Sequence, residues 1–333
     1  MKAVVLVGGF GTRLRPLTLS TPKQMLPVAN RLMIERVVEH LGRHGVDTAV
    51  LALGYRPDAF VDAYPSGRCA GVELHYAVEP QPMDTAGAIR FAALDAAVDE
   101  RFLVVNGDVL TDLDITALLA FHEGHGAEGT IALHRVEDPS AFGVVPTDDD
   151  GRVLAFIEKP PREEAPTNLI NAGTYVLEPS VIDRIAPEVP VNVERVTFPA
   201  MVDDGSLYAL DGDTYWIDAG TPSTYLAANL DLVSGRRGAP EPCVHPTATV
   251  TGAAEQSVIG AGAMVEAGAT VTGSVVLPGA TIRSGAVVRD AIVGPGAVIE
   301  PNAEVLDGSV IGDDVLVPAG ERVSGSRIPE AST

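Results

Sequence analysis

Between Ile259 and Val323 an aliphatic side chain returns almost every sixth residue. The series runs Ile259, Val265, Val271, then Val276, Ile282, Val288, then Val293, Ile299, Val305, Ile311, Val317 and Val323. Gly, Ala and Pro fill the positions between, as in LPGATI, GPGAVI and VPAGER. A period of six matches a coil of short parallel strands stacked into a β-helix, with each aliphatic residue pointing into the prism. The expectation for residues 243–327 is therefore a left-handed parallel β-helix of hexapeptide repeats.

Upstream of about position 235 the rhythm is different. AVVLV, TAVLAL, VELHYAV, FLVVNGD and GTIALHRV read as strands. Between them lie the helical patterns RLMIERVVEHLGRHG, PDAFVDAY, TAGAIRFAALDAAV and DITALLAFHEG. Strand-then-helix alternation predicts an α/β, Rossmann-like, mostly parallel sheet with helices on both faces, and continuous Val/Leu runs predict strands buried on both faces. Further strands are expected at RVLAFIEK and NAGTYVLE, and a helix from Thr221 to about Val233. SGRRGAPEP reads as a linker. The expected organisation is a first domain over 1–234, a linker over 235–242 and the β-helix over 243–327. A chain of 333 residues is long enough for two cores.

Charge narrows the partners. Lys plus Arg number 23 against 45 Asp plus Glu, a net charge of −22. Such a balance disfavours polyanions, so neither nucleic acid nor an anionic membrane is expected as a partner. Small phosphorylated ligands stay open, because a few cations in a pocket outweigh a distant negative surface. The two cysteines, Cys69 and Cys243, make neither a disulfide framework nor a four-ligand zinc site. The opening MKAVVLVGGFGTR has too short an apolar run for a signal peptide or a membrane span. A reducing cytoplasm is the expected location.

GGFGTRLRPLT, Gly8 to Thr18, follows the first strand. Its three glycines within four positions let backbone N–H groups come close to an anion. It is not a Walker A loop, since no Gly-Lys-Ser/Thr follows. Nor is it a dinucleotide fingerprint, because Leu14 stands where the third glycine belongs and Pro16 interrupts the helix. Arg13 and Arg15 stand close behind. The chain's three lysines are Lys2, Lys23 and Lys159, and two of them sit in PKQM and IEKP, where a compact point charge suits a phosphate. Asp108 in FLVVNGDVL stands at the carboxyl end of a strand, where open sheets bind ligands. Asp218 in YWIDAGTP is a second acid beside a glycine turn. Mg²⁺ needs only one or two carboxylates beside substrate phosphates.

GGFGTRLRPLT…PKQM, EPQPMDTAGA, NGD, IEKP, NAGTYVL and WIDAGTP occur in the order and spacing of the sugar-1-phosphate nucleotidyltransferases, also called sugar-nucleotide pyrophosphorylases. The chain resembles that family from Met1 to about Gly235. With the six-residue repeats behind it, it is most similar to the members that join GTP to mannose-1-phosphate. The resemblance implies transfer of a nucleoside monophosphate to a sugar-1-phosphate with release of pyrophosphate, GDP-mannose being the expected product. It implies that Gly8, Gly9, Gly11 and Thr12 cradle the triphosphate, with Glu79, Asp84 and Thr85 also at the nucleotide. Arg13 and Lys23 would stabilise charge during transfer, and Asp108 and Asp218 would hold Mg²⁺. Lys159 would hold the phosphate of the sugar phosphate, with Gly143, Glu158 and Asn171 contacting the sugar. A homo-oligomer through the β-helix is expected, since such a coil ends in unpaired edges.

In this family the residue at the position of Glu79 faces the base edge and is commonly glutamine in thymidylyl- and uridylyltransferases. A carboxylate only accepts, matching the N1–H and N2–H₂ donors of guanine. Two positions depart from the family pattern. Asp84 stands where glycine is usual, and Val196 where many relatives carry a second glutamate. Other readings are a regulatory subunit of the same architecture, a β-helix that transfers acyl groups, and other substrates. The first would lack site cations or acids, which are all present here. The second needs a histidine base, and the repeats hold only His245, at their entrance. Substrate alternatives are glucose-1-phosphate with dTTP or UTP, and a heptose or cyclitol (valienol-like) phosphate with GTP.

Overall fold

The computed structural model describes residues 1–54 and 57–330. Backbone packing divides the chain into two units, one of Met1–Gly9 with Ile34–Trp216, the other of Phe10–Met33 with the chain from Ile217 onward.

The first unit is built on one mixed sheet. Its elements in chain order are β1 (Lys2–Leu6), α1 (Met33–Arg43), β2 (Thr48–Leu53), β3 (Val72–Val78), α2 (Asp84–Asp95) and β4 (Phe102–Asn106). Then come α3 (Ile115–His125), β5 (Gly129–Arg135), β6 (Gly143–Val144), β7 (Ile157–Glu158), β8 (Leu169–Leu177) and β9 (Leu207–Asp211). The strands β3, β2, β1 and β4 are parallel neighbours in that order, the arrangement expected of strands joined through helices. β8 then runs antiparallel to both β4 and β5, and β9 returns parallel to β5. Ala3, Val4, Val5, Ala49, Val50, Leu51, Leu103 and Val104 are fully buried, as strands covered on both faces must be.

RVLAFIEK does not form the single strand expected of it. Thr147 bridges Val153 and Arg152 bridges Tyr208, while only Ile157–Glu158 pairs with Gly143–Val144. Its two ends pair with different partners, and Leu154 between them is exposed. The apolar run is there in the sequence, but one continuous neighbour is not.

In the second unit, α4 (Pro222–Ser234) is capped by Thr221, whose side chain takes the N–H of Thr224 while the Thr224 hydroxyl takes that of Thr221. This reciprocal cap, with proline at the first turn, marks the helix start in sequence. Asn229 Oδ1 accepts from Ala29 N at 2.8 Å and the Tyr225 hydroxyl donates to Pro27 O, so the chain after PKQM is anchored to α4. Beyond α4, the repeats form three five-stranded parallel sheets. Val271 lies in register with Val288, Val288 with Val305, and Val305 with Val323. Each of the twelve aliphatic residues that carried the period is buried in the interior of this stack. Among the described residues no helix is long and apolar enough to cross a membrane.

Candidate active site

The glycine segment begins where β1 ends. Val7 N donates to Ala52 O at 3.2 Å. A Cβ on Gly8 would stand 3.3 Å from Gly54 N and 3.6 Å from Glu79 Oε1, so Gly8 lets the backbone pass close to the end of β2. Gly9 is exposed.

Gly11, Thr12, Arg13, Lys23 and Asp218 belong to the second unit. Gly11 has φ +61°, and a Cβ there would press on Thr18 at 3.0 Å. Thr18 Oγ1 donates to Gly11 O at 2.7 Å, which holds the turn. Thr12–Leu14 is one 3₁₀ turn with Leu14 buried and Arg13 exposed. Lys23 opens a second such turn, and its Cβ is 3.4 Å from the Cβ position of Gly11. Arg13 Nη2 lies 3.4 Å from Asp218 Oδ2, while Gly220 N donates to Asp218 Oδ1 at 2.8 Å. A side chain on Gly220 would meet Arg13 Nη2 at 2.6 Å and Asp218 Oδ1 at 2.7 Å. Gly220, the glycine of the turn read beside Asp218 in DAGTP, thus leaves the room this ion pair occupies.

The EPQPMDTAGA segment follows β3. Glu79 N donates to Leu53 O at 2.8 Å, and Glu79 Oε2 accepts from Met83 N at 3.0 Å, closing the loop. Burial raises the Glu79 carboxyl above its usual range, against the opposing pull of the Met83 N–H. Asp84 has φ +56°, a conformation natural to glycine that Asp tolerates better than most residues. That accounts for the exchange at this position. Its Oδ1 takes Thr85 N at 2.6 Å and Asn192 Nδ2 at 3.1 Å, and Thr85 Oγ1 takes Val193 N at 2.9 Å. Both side chains therefore brace residues 192–193.

Gly143, Glu158, Lys159 and Asn171 come together at β6, β7 and β8. Gly143 is paired with Glu158 across the strands, and a Cβ on Gly143 would run into the Phe156 ring at 2.6 Å. Lys159, at φ +49°, places Nζ 2.9 Å from Glu158 Oε1. Glu158 Oε2 is buried with no hydrogen-bond partner among the described residues. Asn171 Nδ2 donates to the Tyr175 hydroxyl at 2.9 Å and to Glu194 Oε1 at 2.7 Å, and its Oδ1 takes Gly173 N at 2.9 Å. A bulge between Asn171 and Tyr175 turns both toward one another.

Glu194 is the residue that sequence reasoning missed. Val196 is exposed, and the acid comes from two residues earlier, in the π turn Val193–Thr197. Asn192 Oδ1 caps that turn through Glu194 N and Arg195 N. Burial first, and the charge of Glu158 second, push the Glu194 carboxyl up to about 7. Trp216 was missed as well. Its Nε1 donates to Ala172 O at 2.9 Å, and its ring stacks on His134 and meets Phe142 edge-on.

Asp108 lies two residues past β4 and is buried. Among the described residues no group of three or more His, Cys, Asp or Glu gathers as a ready-made metal cage. Mg²⁺ takes oxygen donors, keeps several waters and completes its shell with substrate phosphates. Two separate aspartates fit that donor chemistry.

The family description "Nucleotidyl transferase" matches residues 2–235. The chain belongs to this family. A second description, "GMPPB C-terminal domain", matches residues 239–331. This nucleotidyl transferase is 41% identical over 286 residues to the mannose-1-phosphate guanylyltransferase of Mycobacterium tuberculosis, covering 82% of this chain and 79% of that one. It is 43% identical over 257 residues to the mannose-1-phosphate guanyltransferase of Schizosaccharomyces pombe, covering 76% and 70%. Among solved structures, HddC from Yersinia pseudotuberculosis superposes with a TM-score of 0.60 at 28% identity, covering 68% of this chain and 97% of that one. A putative glucose-1-phosphate thymidylyltransferase from Bacillus anthracis gives 0.62 at 26%, covering 69% and 94%.

Proposed function

We propose that this nucleotidyl transferase joins GTP to mannose-1-phosphate, forming GDP-mannose and pyrophosphate, with residues 1–234 carrying the chemistry, 235–242 a linker and 243–327 the β-helix. The relatives named as mannose-1-phosphate guanylyl- or guanyltransferases support the pair of substrates. One observation carries the choice of base. Glu79 presents a carboxylate, an acceptor at both oxygens, held beside Gly8 by the Met83 N–H. Guanine offers two adjacent donors to such a group, whereas adenine offers an acceptor at N1.

In this reading an oxygen of the sugar phosphate attacks the α-phosphorus of GTP. The bond from that phosphorus to the α–β bridging oxygen breaks, and pyrophosphate leaves with the electron pair. The attacking oxygen is already anionic at neutral pH, so no general base is required. What the protein must do is align two polyanions and offset their repulsion. Gly8, Gly9, Gly11 and Thr12 line the triphosphate, and Arg13 and Lys23 neutralise charge that builds on the leaving group. Lys159 holds the phosphate of the sugar phosphate. Glu158, whose Oε2 is a buried acceptor lacking a donor, takes a sugar hydroxyl, with Asn171 and Gly143 beside it. A divalent cation held by Asp108 and Asp218 would supply further charge neutralisation at the phosphates. Association of copies through the β-helix belongs to the same reading, as does a reducing, cytoplasmic setting, which a chain with the two thiols of Cys69 and Cys243 and no disulfide framework suits.

The test is a panel of GTP, ATP, UTP and dTTP against mannose-1-phosphate and glucose-1-phosphate, scored by pyrophosphate release. GTP with mannose-1-phosphate should give the highest kcat/KM. A preference for dTTP or UTP would overturn the reading of Glu79.

A further inference from the structure

The last coil of the β-helix touches the segment that bears Arg13. Arg327 Nη1 donates to Arg13 O at 3.0 Å and to Arg15 O at 3.2 Å. These two carbonyls flank the buried Leu14, so one guanidinium nitrogen ties a peptide plane inside the 3₁₀ turn to one just past its end. Two further contacts follow along the same stretch. A Cβ on Gly312 would stand 3.0 Å from the Cβ of Pro16 and 3.1 Å from Ile328 O, so the coil runs close enough here that any side chain would need its neighbours to give way by a few tenths of an ångström. Ser20 Oγ bonds to Asp313 Oδ2. Arg327 itself lies in the strand Arg327–Ile328, paired in register with Val310–Ile311. The donor is mounted on a stack whose core aliphatics are buried, a stiffer base than a loop supplies.

We propose that this final coil is a positioning element for the triphosphate loop, and that Arg327 is its chief positioning residue, setting the direction in which Arg13 leaves the backbone. The inference rests on the reading of Arg13 as a catalytic cation. Arg327 contacts main-chain oxygens and reaches the reaction only through the loop. A charged donor on two carbonyls holds orientation better than a neutral one, and misplacement of a catalytic group by about 1 Å can cost on the order of a hundredfold in rate. All the residues assigned to chemistry precede position 235, yet the coil that steadies some of them is formed by residues 312–328.

The experiment is a cycle of Arg327→Met, Arg13→Met and the double variant in the full-length protein, with kcat and KM measured for GTP and mannose-1-phosphate. Arg327→Met should lower kcat about tenfold, leave the KM for mannose-1-phosphate within twofold, and keep the unfolding temperature. Arg327→Lys, which can still reach one carbonyl, should recover part of the loss. In the Arg13→Met background, Arg327→Met should cost less than twofold, because the group it positions is gone. Ser20→Ala approaches the same contact from the loop side, with the β-helix sequence intact, and should lower kcat a few-fold. Unchanged kcat in both Arg327→Met and Ser20→Ala overturns the proposal, as do equal losses from Arg327→Met in the two backgrounds. Full activity of Arg13→Met would instead overturn the underlying reading of the loop.

Discussion

The side-chain amide of Asn171 donates to Glu194 at 2.7 Å, across 23 residues of chain. It thereby gathers an acid from the π turn into the neighbourhood of Glu158 and Lys159. Two carboxyl groups that influence one another share a single lysine there. When both are ionised the pair is unfavourable, and burial adds to the penalty.

The pH dependence of stability follows in sign. Glu194 holds its proton more tightly in the folded protein, to about 7 against an ordinary 4.5. Its contribution is complete below the ordinary carboxylate range and is lost as pH rises through about 7. Glu194→Gln cannot ionise, so the variant should melt a few degrees above wild type at pH 8, with the gain shrinking toward pH 5. Thermal melts at both pH values check this. An equal gain at both would show that Glu194 is not the titrating group.

Glu79→Gln can keep the bond to Met83 N through its carbonyl oxygen while turning its NH₂ toward the place where Oε1 now stands beside Gly8. One acceptor becomes a donor, and a lost match costs roughly 1–3 kcal/mol. GTP efficiency should fall about ten- to a hundredfold on that scale, while UTP or dTTP gains relative to GTP. The ratio of kcat/KM for GTP and UTP is the quantity to follow, and an unchanged ratio excludes Glu79 from base recognition.

Asp218→Asn keeps an oxygen for the Gly220 N–H but removes the charge offered to a cation and to Arg13. We expect a folded protein whose turnover is down by about a hundredfold or more, the scale of losing one charge-stabilising group. Chelation of divalent ions should silence the wild type. Full turnover of the variant in saturating Mg²⁺ would remove Asp218 from the metal site.

At position 84 the prediction concerns folding. Ala at φ +56° bears a left-handed backbone cost of about 1–2 kcal/mol, while Gly does not. Asp84→Ala should therefore unfold at lower urea concentration than Asp84→Gly, even though both lose the bonds to Thr85 N and Asn192. Identical midpoints would mean that the side-chain bonds alone decide the matter.

How legible each feature was depends on the range of the interaction behind it. The period of Ile259 to Val323 is local and repeated, so every one of those residues could be placed inward before any contact was known. Arg13, Lys23 and Asp218 were visible as candidates in their motifs, and so was the helix that Thr221 opens. Glu194 was not, because a π turn shifts which residue of NVERV faces inward, and no simple period announces it. RVLAFIEK misled for a related reason. Its apolar run is genuine, but pairing partners are chosen by the rest of the sheet. The exchange of glycine for Asp84 showed as a departure from the family pattern, and the left-handed backbone angle that accommodates it is not visible in a motif.

The register of the β-helix makes repeat number a length gauge. Val271, Val288 and Val305 occupy equivalent places, so one whole turn could be duplicated without disturbing the interior ladder. Each added turn would nevertheless carry Arg327 one strand spacing along the stack, about 4.7–4.9 Å, and out of reach of the carbonyls of Arg13 and Arg15. Insertions of whole turns that are silent for folding would thus be visible in turnover. The number of turns is then constrained by the distance to the loop, a quantity that no single repeat contains.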